Sequence, residues 1–250
     1  MAAVWKRLLY EGEADITVDN ETSHSDVLVD GDIGVTVQAY DADTLTNVVI
    51  QTFTASGTYT PTAGMVKCIV EVQAPGGGGG GPQTGHYNAG GGGAGGYAKK
   101  LLTAADIGAS QTVTINAANP GTGGAIDANG VAGGSVTFGA IITCNGGLGG
   151  GAGGAGSAGG SASGGDINIT GGSGTHPIRY AIATIYGNEV SGNGGSSILG
   201  GGGTGGYNSI SQVAASGYGG GGGGGCSNGT DYFAGLNGSP AIVIVTEFCS

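Results

Sequence analysis

Few residues in this chain could carry catalytic chemistry. The histidines are His24, His86 and His176, and none sits in an HExxH spacing or a close carboxylate pairing, so neither a zinc hydrolase nor an acid–base pair is spelled out. Cys68, Cys144, Cys226 and Cys249 are far apart with no CxxC pair, which fits neither a zinc ribbon nor a redox motif. Cys68 and Cys249 fall at strand positions, where a free cysteine serves as a small apolar side chain, although disulfides stay open at this level. GxGxxG strings abound by chance, and none follows a strand into a helix with a later acidic partner. The glycines before Cys226 lack the Lys and hydroxyl residue of a phosphate-binding loop. The expectation is a protein that is not an enzyme and uses no cofactor or metal.

Recognition chemistry is better represented. Tyr and His offer large contact area at low entropy cost, with polar atoms for sugar or protein hydroxyls. Such residues recur in short segments flanked by glycine: His86 and Tyr87, then His176, Arg179, Tyr180 and Tyr186, then Tyr207 and Tyr218. Each has a plainer use. Tyr97, Tyr207 and Tyr218 adjoin glycine and equally suit stacking on bare backbone, and HPIRYAIATIY also reads as a strand with Ile178, Tyr180, Ile182 and Thr184 on one face. Near the start, VWKRLLYEGE offers Trp5, Leu8 and Leu9 for docking on another protein, or for packing on its own chain.

The elements that must position these residues are strands. Residues 1–50 are polar and acidic, with short strand candidates at 16–18, 27–29 and 35–39, too little to bury a core alone. They are expected to form an attachment or oligomerisation region. Residues 51–250 form the second unit. Val66, Cys68, Val70 and Val72 alternate with Lys67, Ile69 and Glu71, a period of two with one strongly apolar side. Further strands are expected at 96–102, 111–116, 134–138 and 140–144. Ile242 to Val245 suggest a closing strand buried on both faces beside the strand that leads into the glycine region.

Between the strands lies glycine, 62 of 250 residues. Charged residues are only 9% and hydrophobic ones 38%, which opposes an unfolded linker. Uninterrupted runs at 76–81 and 219–225, with only 6 prolines in the chain, rule out the strict triplet of collagen. Two arrangements remain: extended polyglycine or polyproline-II strands bonded to neighbouring strands, or tight-turn loops on a β scaffold. The expected fold is all-β, a small sandwich-like scaffold bearing an extended glycine-rich region, with little or no helix. The net charge of −11 is concentrated in residues 1–50. No basic stripe suggests nucleic acid. No apolar stretch approaches a membrane span and the start lacks a signal-peptide h-region, so synthesis in a cytoplasm is expected.

Several segments together resemble the glycine-rich domain near the C-termini of bacteriophage tail fibre proteins. FTASGTYTPTAGMVKCIVEVQAPGGGGGG looks like its opening, GGAGGYAKKLLTAADIGASQTVTINAANPGTGG like its middle and GSPAIVIVTEF like its closing strand. Upstream, GVTVQAYDADTL resembles a stretch common before tail-fibre tip modules. The likeness covers most of residues 34–248, with an insert at about 163–217 departing from it. In style it is also similar to the glycine-rich tip adhesins of T-even-like phages. The resemblance implies a virion protein of fibre architecture, commonly a homotrimer, joined to tail or baseplate proteins and binding a bacterial surface glycan or outer-membrane protein through exposed loops. A purely structural virion part, baseplate-associated or capsid-decorating, is the alternative.

Overall fold

The computed structural model describes residues 47–85, 88–178, 190–207, 212–228 and 230–250. Trp5, Leu8 and Leu9, and with them the unit drawn over residues 1–50 up to residue 46, lie outside the described residues.

The described chain is nearly all strand and extended backbone. Its first sheet contains β1 (Asn47–Phe53), β3 (Met65–Gln73), β4 (Tyr97–Thr103), β9 (Ile167–Ile169) and β12 (Ile242–Cys249), in the spatial order β1-β12-β3-β4-β9, every pair antiparallel. The second contains β2 (Gly57–Tyr59), β5 (Gln111–Ile115), β6 (Val136–Phe138), β7 (Ile142–Cys144) and β8 (Ala162–Ser163). A separate hairpin pairs β10 (Cys226–Ser227) with β11 (Tyr232–Phe233). The closing strand β12 lies between β1 and β3, so the last strand does pair with the one that enters the glycine region. Residues 47–50, which composition groups with the first unit, are the opening half of β1. Among the described residues helix is confined to Ala104–Ile107, a single turn held by the reciprocal Thr103–Asp106 capping box.

The two sheets face one another over one core. Cys68, Val70 and Val72 from β3, with Val243 and Val245 from β12, meet Tyr59, Val113, Val136, Phe138 and Ile142 of the second sheet, all buried. The Tyr59 and Phe138 rings lie 5.5 Å apart at a tilt. Period-two alternation is what aims these side chains inward. β12 departs from the expected burial on both faces: Val243 and Val245 are fully buried, but Ile244, Thr246 and Phe248 are only half-buried, because the second sheet covers one side alone.

One buried charge spans the two sheets. Glu247 of β12 is fully inside, and its Oε1 accepts bonds from the Tyr59 hydroxyl at 2.7 Å, the Thr62 amide at 3.1 Å and the Gln51 amide nitrogen at 3.2 Å. Burial pushes its carboxyl upward, but the bonds from Thr62, Tyr59 and Gln51 outweigh that and hold its pKa below the ordinary value. The same burial and the carboxylate push the Tyr59 hydroxyl well above its usual range.

Beyond the sheets the glycine runs bond to each other with a three-residue repeat. In the run at 76–81, Gly76 and Gly79 donate to Ser239 and Leu236, Gly77 and Gly80 to Gly93 and Gly90, and Gly78 and Gly81 to Val131 and Ala128. Its carbonyls accept from three other runs: Gly76 and Gly79 from Gly121 and Gly124, Gly77 and Gly80 from Gly222 and Gly225, and Gly78 from Gly150. A chain with three residues per turn aims successive amides about 120° apart, so each run can serve six neighbours and leave no buried amide unpaired. The run at 89–96 does the same, donating to 219–225, 145–151 and 171–175 and accepting from 74–80, 155–160 and 191–195.

Glycine is required here for closeness. A Cβ on Gly78 would sit 2.0 Å from the Thr122 carbonyl oxygen, and one on Gly91 2.0 Å from that of Asn193. Neither has the positive φ that favours glycine at turns such as Gly64 and Gly217.

Candidate recognition surface

The bond pairs fix the direction of every run. Those at 121–124, 145–151 and 219–225 run parallel to 76–81, and those at 89–96, 128–133 and 235–239 run against it. Continuing through 171–175 and 200–204 in the first sense, and 155–160, 191–195 and 213–216 in the second, the chain passes up and down the bundle in strict alternation. Every upward run therefore finishes, and every downward run that follows it begins, at the same end. The ends are tied across the bundle: Gly81 N to Ala128 O, Ala89 N to Gly225 O, Gly90 N to Gly151 O, Gly151 N to Ala155 O and Ser191 N to Gly206 O.

The other end is the sheet end. β3 leads into the run beginning at Ala74, and the run ending at Gly96 leads into β4. β7 precedes Asn145, and Ser239 precedes β12. In the sheet, Asn47 pairs with Cys249 at the end of β12 farthest from the bundle. Entry to β1 and the finish of the upward glycine runs are thus at opposite ends of the described molecule.

Local chemistry shapes the returns. Residues 82–85 hook onto the return at 125–127: the Thr84 amide donates to Asp127 Oδ1 at 2.8 Å, and its hydroxyl to the same carboxylate at 3.0 Å. Asp127 is the non-glycine residue with positive φ, 61°, a conformation Asp tolerates better than most. Gly153 and Gly154, both at positive φ, turn the return at 152–154. The hairpin β10–β11 caps another return, its bend set by Asn228 Oδ1 accepting from the amides of Thr230 and Asp231 at 2.9 and 2.7 Å. Residues 178 and 190 meet as an antiparallel bridge, and Val190 bridges in turn to Tyr207.

Of the residues singled out by type, His176 and Tyr207, the latter 43% exposed, are exposed at this far end, with Val190 bridging Tyr207 to Ile178. His86, Tyr87, Arg179, Tyr180 and Tyr186 lie outside the described residues. Gly85, Asn88, Ile178 and Val190 stand at this same end. Tyr218 is separated from the rest. It is half-buried in the turn between 213–216 and 219–225 at the sheet end, its amide donating to Leu199 O at 3.1 Å. Tyr97 is buried on β4, its hydroxyl bonded to Glu71, and that bond and burial raise its pKa.

Residue type alone missed several members of this end. Ile126 and Ile178 are exposed at 44% and 58%, and Phe233 of the β10–β11 hairpin stands at the same end. The available signal was positional: each interrupts or follows a glycine run at a return. Among the described residues no cluster of His, Cys, Asp and Glu could hold a metal ion, and no helix is long and apolar enough to cross a membrane. No protein-family model matches the chain, and no curated protein matches it.

Proposed function

We propose that this chain is a receptor-binding fibre or fibre-tip protein of a bacteriophage tail, made in the host cytoplasm and carried on the virion. In this reading the bundle is a stiff spacer and its far end engages a bacterial surface glycan or outer-membrane protein. The observation that carries it is that every upward run finishes at the end opposite β1, with His176 and Tyr207 among the described residues there. A bundle whose interior is almost all glycine backbone can vary its returns without disturbing its packing, which suits display. The resemblance of the strand-to-glycine segments to tail-fibre sequences supports the same reading. Attachment to tail or baseplate proteins is assigned to residues 1–50.

The test is competition. Purified protein is expected to coat host cells and block adsorption of the phage that carries it. Substituting His176 and Tyr207 by alanine, or replacing residues 172–190, is expected to abolish the block, whereas Tyr218→Ala leaves it intact. Adsorption unaffected by the protein and by all of these changes would instead mark a purely structural virion part.

A further inference from the structure

The first sheet buries one face on the second sheet, and among the described residues nothing covers the other over most of its length. Pairing register places residues of the uncovered face in rows across the strands. The middle row is Ile50, Thr246, Ile69 and Leu101, with Ile50 64% and Leu101 55% exposed. On one side of it lie Phe248 and Lys67, directly opposite each other; on the other side lie Ile244 and Glu71. Only the row next to the glycine bundle, with Ile242, Gln73 and Tyr97, is already buried. None of the bonds or packing described above covers the rest.

We propose that this face is a self-association surface on which a second copy of the chain packs with its strands reversed. Its size and charge argue for that occupant. Four strands, β1, β12, β3 and β4, spaced about 4.8 Å apart and three rows spaced about 6.7 Å give a patch of roughly 390 Å² in projection. A continuous apolar patch of a few hundred Å² marks an interaction site. It is smaller than the roughly 800 Å² per partner of a standard stable interface, so association is weak and concentration-dependent.

The sense of packing follows from charge. A two-fold axis along the Ile50–Leu101 row lays that row on itself and exchanges the rows on either side. Lys67 then faces Glu71 of the second copy, and Phe248 faces its Ile244. Packing in the same sense would put Lys67 on Lys67 and Glu71 on Glu71. Lys99 stands 3.9 Å from Glu71 of its own chain, so the acid is flanked by positive charge from both copies. Face-to-face sheets of this kind align their strands within about 30°, which the twist of each sheet accommodates.

Light scattering and sedimentation of the full chain across a hundredfold concentration range test this. The expected mass rises from one chain toward two. Leu101→Glu, at an exposed position that leaves the fold intact by circular dichroism, holds the protein at one chain throughout. Lys67→Glu sets like charges against each other twice and weakens association roughly tenfold, and the deficit disappears in 1 M salt, where the screening length falls to about 3 Å. A single-chain mass at every concentration would overturn the proposal. So would a dimer or trimer whose dissociation is unchanged by both substitutions.

Discussion

Gly78→Ala tests the packing of the glycine bundle most directly. The added Cβ would lie 2.0 Å from the Thr122 carbonyl oxygen and 2.6 Å from the Gly123 nitrogen, all backbone. Carbon–oxygen contacts settle near 3.3 Å, so the runs must part by about 1.3 Å. Parting them strains the bonds from Gly78 N to Val131 O, 2.9 Å, and from Gly150 N to Gly78 O, 2.8 Å, in a place no water reaches easily. Overpacking costs about 1–3 kcal/mol and a buried bond lost about as much. Against this, alanine restricts the unfolded chain and returns about 0.4–1 kcal/mol. The net is a loss of about 3–4 kcal/mol, or about 10 °C in Tm for a chain of this size. Gly201→Ala is the matched control. Its Cβ would meet only the Ser216 hydroxyl at 3.2 Å, the movable end of a side chain, so a change within about 1 kcal/mol of either sign is expected. Thermal unfolding by circular dichroism reads both. Equal Tm values for the two variants would refute close approach as the reason for glycine, leaving only backbone freedom, which both positions share.

Three further outcomes are expected. Because the folded pKa of Glu247 is depressed, its contribution is complete above the unfolded value of about 4.3 and is lost as pH falls through the folded value. Tm measured from pH 7 to pH 3 should therefore drop more steeply in the wild type than in Glu247→Gln, which starts about 2 kcal/mol less stable; parallel curves would exclude Glu247 as the acid-sensitive group. Burial pushes the Cys144 thiol up to about 12 and raises Cys68 as well, so both should resist a thiol reagent at pH 8 until the protein unfolds. Fast native labelling of either, located by mass spectrometry, would contradict their placement. Tyr97→Phe removes the hydroxyl bond to Glu71 and should cost about 1 kcal/mol, read as a shift in denaturant midpoint at unchanged slope.

The strand scaffold was legible in the sequence because alternation has a period of two that survives any context. Val66 to Val72 announced β3, and the apolar run at 242–245 announced β12 as its neighbour. What alternation could not supply was which faces would be covered. Ile244 and Ile69 are as apolar as the core residues beside them, yet only a second sheet on one side made Val243 inner and Ile244 half-exposed. The recognition candidates were partly legible for a similar reason. Residue type separated Tyr and His from glycine, but Tyr207 and Tyr218 look alike in sequence, each beside glycine, and stand at opposite ends of the bundle. Exposed Ile126 and Ile178 carried no chemical signal at all.

By itself, then, the sequence determined the all-β class, through alternating apolar strands that permit a two-layer core, and excluded collagen triplets. Between extended neighbouring chains and tight-turn loops for the glycine runs, it left the choice to the tertiary structure. Tertiary structure decided direction and company. A glycine run has no side chain with which to choose a neighbour, so its partners are selected by where the flanking strands pin its ends. Because those strands lie at one end of the bundle, the upward runs all finish at the other.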